Sequence, residues 1–181
     1  MRTHRWHKKK IALVCIAGVI LFLLARTRRN VIEFEFLVNQ SDPMIVWEYV
    51  ADFSNMKHLN PTILDFDIKS EKGNYDHWEY TAEYAEYLSQ YPFIKNLSKG
   101  HFIVKPDGKD YIIRSEHRTC FISLFCLKST SEFRFFSDDN KTKCTEFVEY
   151  ECPSLLTAIC TKEVTFQRSA IMENLQKQYL K

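Results

Sequence analysis

"VWEYVADFSNMKHLNP", residues 46 to 61, carries an amphipathic helix that breaks at an aromatic, restarts for a turn and stops at Asn-Pro. Its start is set just upstream. Asp42 can accept hydrogen bonds from free first-turn amides, and Pro43 suits the first helical position, where a missing N–H costs nothing. Ile45, Val46, Tyr49, Val50 and Phe53 recur at helical spacing and form one apolar face. Ser54 is the expected cap of the second turn, which Pro61 ends by disfavouring helical geometry at Asn60. One helix with a frayed end is the plain alternative; the rest of the chain favours two short helices.

After Pro61 the pattern changes to period two. "ILDFDIKSE" (63–71) alternates, and "HWEYTAEYAEY" (77–87) sends Trp78, Tyr80, Ala82 and Tyr84 to one side, the mark of a half-buried antiparallel strand. "LSQYPFIKNLSKG" (88–100) reads as an irregular connection with a short helix. "HFIVK" (101–105) turns through Pro106-Asp107-Gly108 into "DYIIRSEHR" (110–118), and "STSEFRFF" (129–136) pairs with "CTEFVEYEC" (144–152). Before the helices, "FEFLV" (34–38) is strand-like, and Pro153 opens a helix to about Leu180. Leu156, Cys160, Val164, Ile171 and Leu175 share one stripe of that helix. Gln167 and Asn174 fall inside the stripe, so either the stripe faces a cavity with room for polar groups or the helix phase differs.

Strand, two short helices, about six antiparallel strands and a long terminal helix: in this order the chain resembles the START-like (SRPBCC) superfamily. The residues carrying the resemblance are the first strand, "DPMIVWEYVADFSNMKHLNP" and "PSLLTAICTKEVTFQRSAIMENLQKQYLK". The resemblance implies an α+β helix-grip fold like that of Bet v 1 allergens, polyketide cyclases and lipid-transfer domains. A curved antiparallel sheet of six to seven strands would wrap the C-terminal helix over residues 31–181. It also implies a cavity for a hydrophobic small molecule, of lipid or sterol class, held for transfer or presentation. Trp78, Tyr80, Tyr84, Ile113, Phe133, Phe135, Val148, Tyr150 and Val164 are the expected wall. The alternative is that these side chains fill the core, leaving an anchored scaffold for a protein partner. A cyclase-like enzyme is the third reading; no catalytic residue is assigned, and Glu146, in phase with Val148 and Tyr150, is the one candidate acid, with an edge-facing glutamate as the favoured alternative.

Charge is divided along the chain. Residues 1–29 carry eight Lys or Arg and no acid, whereas the remainder has 17 basic and 23 acidic residues, a net of −6. An acidic folded part excludes nucleic acid as a partner, since phosphate contacts need clustered positive charge. His58, His77, His101 and His117 are scattered without metal-ligand spacing, and no phosphate loop or Rossmann glycine pattern occurs, so neither metal nor cofactor is expected.

Behind a basic tail (1–10), "IALVCIAGVILFLLA" (11–25) is an unbroken apolar run of roughly 22 Å, against a hydrocarbon core of ~30 Å. Arginines follow Ala25 and make a poor signal-peptide cleavage site, which favours a transmembrane anchor suited to a thin endoplasmic-reticulum bilayer. Five basic residues before the run and three after it place the domain in the lumen. Sequons at Asn39, Asn96 and Asn140 and five later cysteines lean the same way. The expectation is a single-pass membrane protein of the endoplasmic reticulum or secretory pathway, with the membrane as partner through this helix. "CFISLFC" (120–126) is either a continuous buried strand or a hairpin. In the hairpin Cys120 and Cys126 would form a disulfide, and the tip, Phe121, Ile122, Leu124 and Phe125, would meet a bilayer or gate the cavity.

Overall fold

The computed structural model describes residues 2–40, 42–74, 76–121 and 125–180. Seven strands, β1 (Thr27–Val38), β2 (Ile63–Asn74), β3 (His77–Leu88), β4 (Tyr91–Asp107), β5 (Asp110–Phe121), β6 (Phe125–Asp138) and β7 (Lys141–Pro153), form one antiparallel sheet. Its order is β1-β7-β6-β5-β4-β3-β2, so the two strands flanking the short helices are the two edges. Register shifts at Ile63/Asp65, Ile68/Ser70 and Tyr87/Leu88 bend the β2–β3–β4 side.

Two short helices, α2 (Pro43–Ala51) and α3 (Phe53–Leu59), link those edges. Asp42 Oδ1 accepts from Met44 N at 2.9 Å, and Pro43 occupies the first turn. The second cap is Asp52 rather than Ser54: its backbone is extended, which ends α2, and its carboxylate accepts from Ser54 N at 2.9 Å, which starts α3. Val46, Trp47, Val50 and Phe53 drive into the sheet, and Trp47 Nε1 donates to Ile112 O at 3.1 Å.

A 3-10 turn (Ser154–Leu156) leads from β7 into α4 (Thr157–Gln178), which the sheet grips. Three ties fix α4. The Cys152–Cys160 disulfide holds its N-terminal end, Glu163 accepts from Ser89 N and Oγ at 2.9 and 2.7 Å, and Asn174 Nδ2 donates to Leu59 O at 2.9 Å. Ile171 and Leu175 join the main core; Leu156, Cys160 and Val164 pack on a second cluster of Val148, Tyr150 and Cys152.

Two sequence expectations change here. The stretch 88–100 is not an irregular connection: β4 runs unbroken for 17 residues from Tyr91. Its inward positions there are Asn96, Ser98 and Gly100, so no hydrophobic alternation marks it. The first strand begins at Thr27, ahead of residue 31, and takes Arg28 and Arg29 into the sheet.

The membrane placement is overturned. Helix α1 (Arg2–Ala25) forms, but no helix among the described residues is long and apolar enough to cross a membrane. The reason is length: α1 opens with the basic tail, and its apolar part is only the 15 residues from Ile11 to Ala25. A single-pass protein of the endoplasmic reticulum or secretory pathway, with a lumenal domain and the membrane as partner, is therefore not supported.

Asp52→Ala is expected to lower unfolding free energy by ~1 kcal/mol through the lost cap. Phe135→Ala, at a fully buried ring packed 4.4 Å from Phe133, should cost ~3–5 kcal/mol. Urea denaturation of each variant checks both.

Candidate functional site

Between the concave face of the sheet, α2–α3 and α4 lies a cavity of ≈100 Å³. One end is apolar, with Val50, Phe53, Phe102, Ile113, Phe133 and Ile171. The other is polar: Glu86 from β3, Ser115 and His117 from β5, Ser131 from β6, Glu146 from β7, and Gln167 and Arg168 from α4. Gln167 thus faces the cavity from within the apolar stripe, and the helix phase read from sequence holds.

Arg168 is the hub of the polar end. Its Nη1 lies 3.1 Å from Glu146 Oε1, with Glu146 only 2% exposed. Burial pushes the Glu146 carboxyl up, and the guanidinium opposes that. Arg168 Nε is enclosed with no hydrogen-bond partner. His117 is clamped: Tyr84 Oη lies 2.8 Å from Nδ1, and Ser115 Oγ 2.8 Å from Nε2. Burial and Arg168 push its pKa down to about 3, so the ring is neutral and Tyr84, pushed well above its usual range by burial, donates to Nδ1. Gly100 makes room for this clamp, since a Cβ there would stand 2.9 Å from His117 Nδ1 and 2.7 Å from the Phe102 ring.

Glu86 is 7% exposed and held loosely, by Asn60 Nδ2 and Ser98 Oγ at 3.4 Å each. Burial raises its pKa to about 7, with Arg168 opposing and Glu163 adding to the rise.

The expected wall divides into three. Tyr84, Ile113 and Phe133 line the cavity. Trp78, Tyr80 and Phe135 are core: Trp78 packs on Tyr80 at 4.7 Å, and Tyr80 Oη donates to Ala51 O at 2.8 Å. Val148, Tyr150 and Val164 belong to the second cluster near the start of α4, where Tyr150 Oη meets Thr161 Oγ1 at 2.9 Å. Glu146 points inward rather than to an edge. Glu86, His117, Ser115 and Ser131 were missed, because polar residues at inward strand positions look like surface in a sequence, and Arg168 was missed because a charged residue on a helix reads as its solvent face.

The segment 120–126 turns: Cys120 and Cys126 are register partners joined as a disulfide, which excludes a continuous strand. At its tip Phe121 is half-buried and Phe125 is 37% exposed, whereas Ile122 and Leu124 lie outside the described residues. Asn39 and Asn140 are exposed, but Asn96 is 5% exposed beside Ser98, with no room for a glycan. Among the described residues no His, Cys, Asp and Glu cluster is arranged to hold a metal ion.

A sheet wrapped on a terminal helix over a cavity recurs in solved structures. The aromatase/cyclase Zhui from Streptomyces sp. R1128 superposes with a TM-score of 0.63 at 13% identity, covering 84% of this chain and 94% of its own. Norcoclaurine synthase from Thalictrum flavum, solved with dopamine and hydroxybenzaldehyde, gives 0.60 at 14%, covering 88% and 91%. Ara h 8.0201 gives 0.58 at 14%, covering 84% and 99%. The chain has the Bet v 1-like helix-grip fold. No family model and no curated protein matches the sequence. At these identities the likeness establishes the helix-grip architecture, and the chemistry of the cavity has to be read from its own residues.

Two outcomes follow from the buried charges. Glu86 binds its proton more tightly folded than unfolded, so its contribution to stability is intact below about pH 4.5 and lost as pH rises through about 7. Glu86→Gln should therefore be more stable than the parent at pH 8, by at most about 3 kcal/mol of unfolding free energy, and equally stable at pH 4.5, by calorimetry across pH. Arg168→Met strands the Glu146 charge and should cost ~3–5 kcal/mol, most of it recovered in Arg168→Met/Glu146→Leu by urea denaturation.

Proposed function

We propose that the chain binds a small molecule with an apolar body and a polar head in the cavity beneath α4. One observation carries this reading: two glutamates, an arginine and a histidine are drawn into the interior around space that side chains do not fill. Burying such groups costs stability, and a core selected only to pack would replace them with apolar residues. The Phe-lined end would take the body of the ligand and the Glu86–Arg168 end its polar head.

Size argues against a lipid or sterol. Drug-sized pockets run from about 300 to 1,000 Å³, and an apolar cavity of about 150 Å³ admits benzene. At ≈100 Å³ this one suits a guest of about four to six heavy atoms. The rival scaffold reading lost its anchor with the membrane placement, and it gives no account of the interior charges.

Ligand-observed NMR with a library of neutral four- to eight-heavy-atom compounds tests the proposal on the full chain. Hits with Kd on the order of millimolar are expected, with contacts to Phe133 and Tyr84. Ser131→Leu and, separately, Ile113→Phe fill the cavity and should abolish them while the fold is retained. Hits that persist in both folded variants, or no hits at all, would refute cavity binding.

A further inference from the structure

The polar end of the cavity contains several groups able to exchange a proton, and the geometry removes all but one near neutral pH. Both His117 nitrogens are engaged, by Tyr84 and Ser115, and the ring stays neutral. Tyr84 keeps its proton as the donor to that ring. Glu146 is locked to Arg168. Glu86 remains, held by two long hydrogen bonds only and titrating near pH 7. The groups facing it are Arg168 and Glu163 of α4, Tyr84 on its own strand, Ser98 of β4, Asn60 after α3 and, across the cavity, His117 of β5 and Glu146 of β7.

The same surroundings specify what the guest brings. Arg168 has an enclosed N–H without an acceptor, so the guest's polar atom is an acceptor. Two carboxylates, Glu86 and Glu146, face this one guanidinium, so the site carries a net negative charge and repels an anion once Glu86 is ionised. A neutral carbonyl oxygen satisfies both conditions. The apolar end then accepts the alkyl substituent, within the small volume available.

We propose that the cavity catalyses proton transfer at the carbon beside the carbonyl of a small ketone, with Glu86 as base and Arg168 as the group that holds the carbonyl oxygen. This rests on the ligand-binding reading above. The Glu86 carboxylate takes the proton from the carbon next to the carbonyl. The C–H pair becomes the new C=C bond, and the carbonyl π pair moves to the oxygen, where the guanidinium stabilises the enolate. Glu86 then returns a proton to carbon, so the net result is exchange or isomerisation with no oxidant or reductant consumed. Positioned general bases contribute about 10²–10⁴-fold.

The test is 2-butanone with the full chain in D2O, following loss of the methyl and methylene proton NMR signals beside the carbonyl, alongside ligand-observed binding. Exchange above buffer is expected, rising with pD through about 7 and levelling above it, and falling about 10²–10⁴-fold in Glu86→Gln, which retains its fold. Arg168→Lys, where it folds, should exchange more slowly than the parent. Exchange unchanged in Glu86→Gln would overturn the assignment in favour of surface amines. Binding of 2-butanone without exchange would overturn the catalytic inference and leave the ligand-binding reading standing; neither binding nor exchange would overturn both.

Discussion

The ion pair between Arg168 of α4 and Glu146 of β7, 3.1 Å apart beneath the terminal helix, is the constraint from which the rest of the cavity follows. Neither charge is tolerable alone in the interior, because desolvation costs several kcal/mol per ion unless a partner stands opposite. The pair therefore fixes the rotation of α4 over the sheet. With that rotation set, Gln167 turns into the same space, and Ile171 and Leu175, one and two turns further, reach the apolar core.

From this pair the interior polarity spreads along the strands in alternate positions. Ser115 and His117 on β5, Ser131 on β6 and Ser98 on β4 face inward and form chains: Ser115 Oγ meets Ser131 Oγ at 3.0 Å, and Ser98 Oγ meets Thr119 Oγ1 at 2.8 Å. Each such hydrogen bond offsets the desolvation of its members without filling the central volume. Short hydroxyl side chains leave a gap that leucines or phenylalanines would have closed. Phe53, Phe102, Phe133 and Ile113 line the rest of the cavity, which is therefore amphipathic.

The capped helices, the hairpins from Gly108 onward and the stripe of α4 were legible because each rests on local chemistry. An aspartate before a proline, a Pro-Asp-Gly turn and a 3.6-residue apolar repeat report the backbone they favour. The cavity was only partly legible, since Tyr84, Ile113 and Phe133 have the hydrophobic signature expected of a wall, as do the core residues Tyr80 and Phe135 and the second-cluster residue Tyr150. Nothing along the chain separates these groups. The first half of β4 was lost for the converse reason: Asn96, Ser98 and Gly100 face the interior, where hydrophobic periodicity assumes apolar residues. The apolar run in α1 was legible as a run, but 15 residues do not reach across a bilayer at the rise of a helix.

By itself, then, the sequence determined most of the order of strands and helices, a break in the first helical stretch, the apolar face of α4 and the acidic balance of the folded part. These depend on neighbours a few residues apart. Only the tertiary structure decided that Glu86, Glu146, His117 and Arg168 share one cavity, that the cavity is small, and which aromatics line it. Those facts depend on strand register and on the distance between sheet and helix, set by contacts between residues more than a hundred positions apart, which no local pattern encodes.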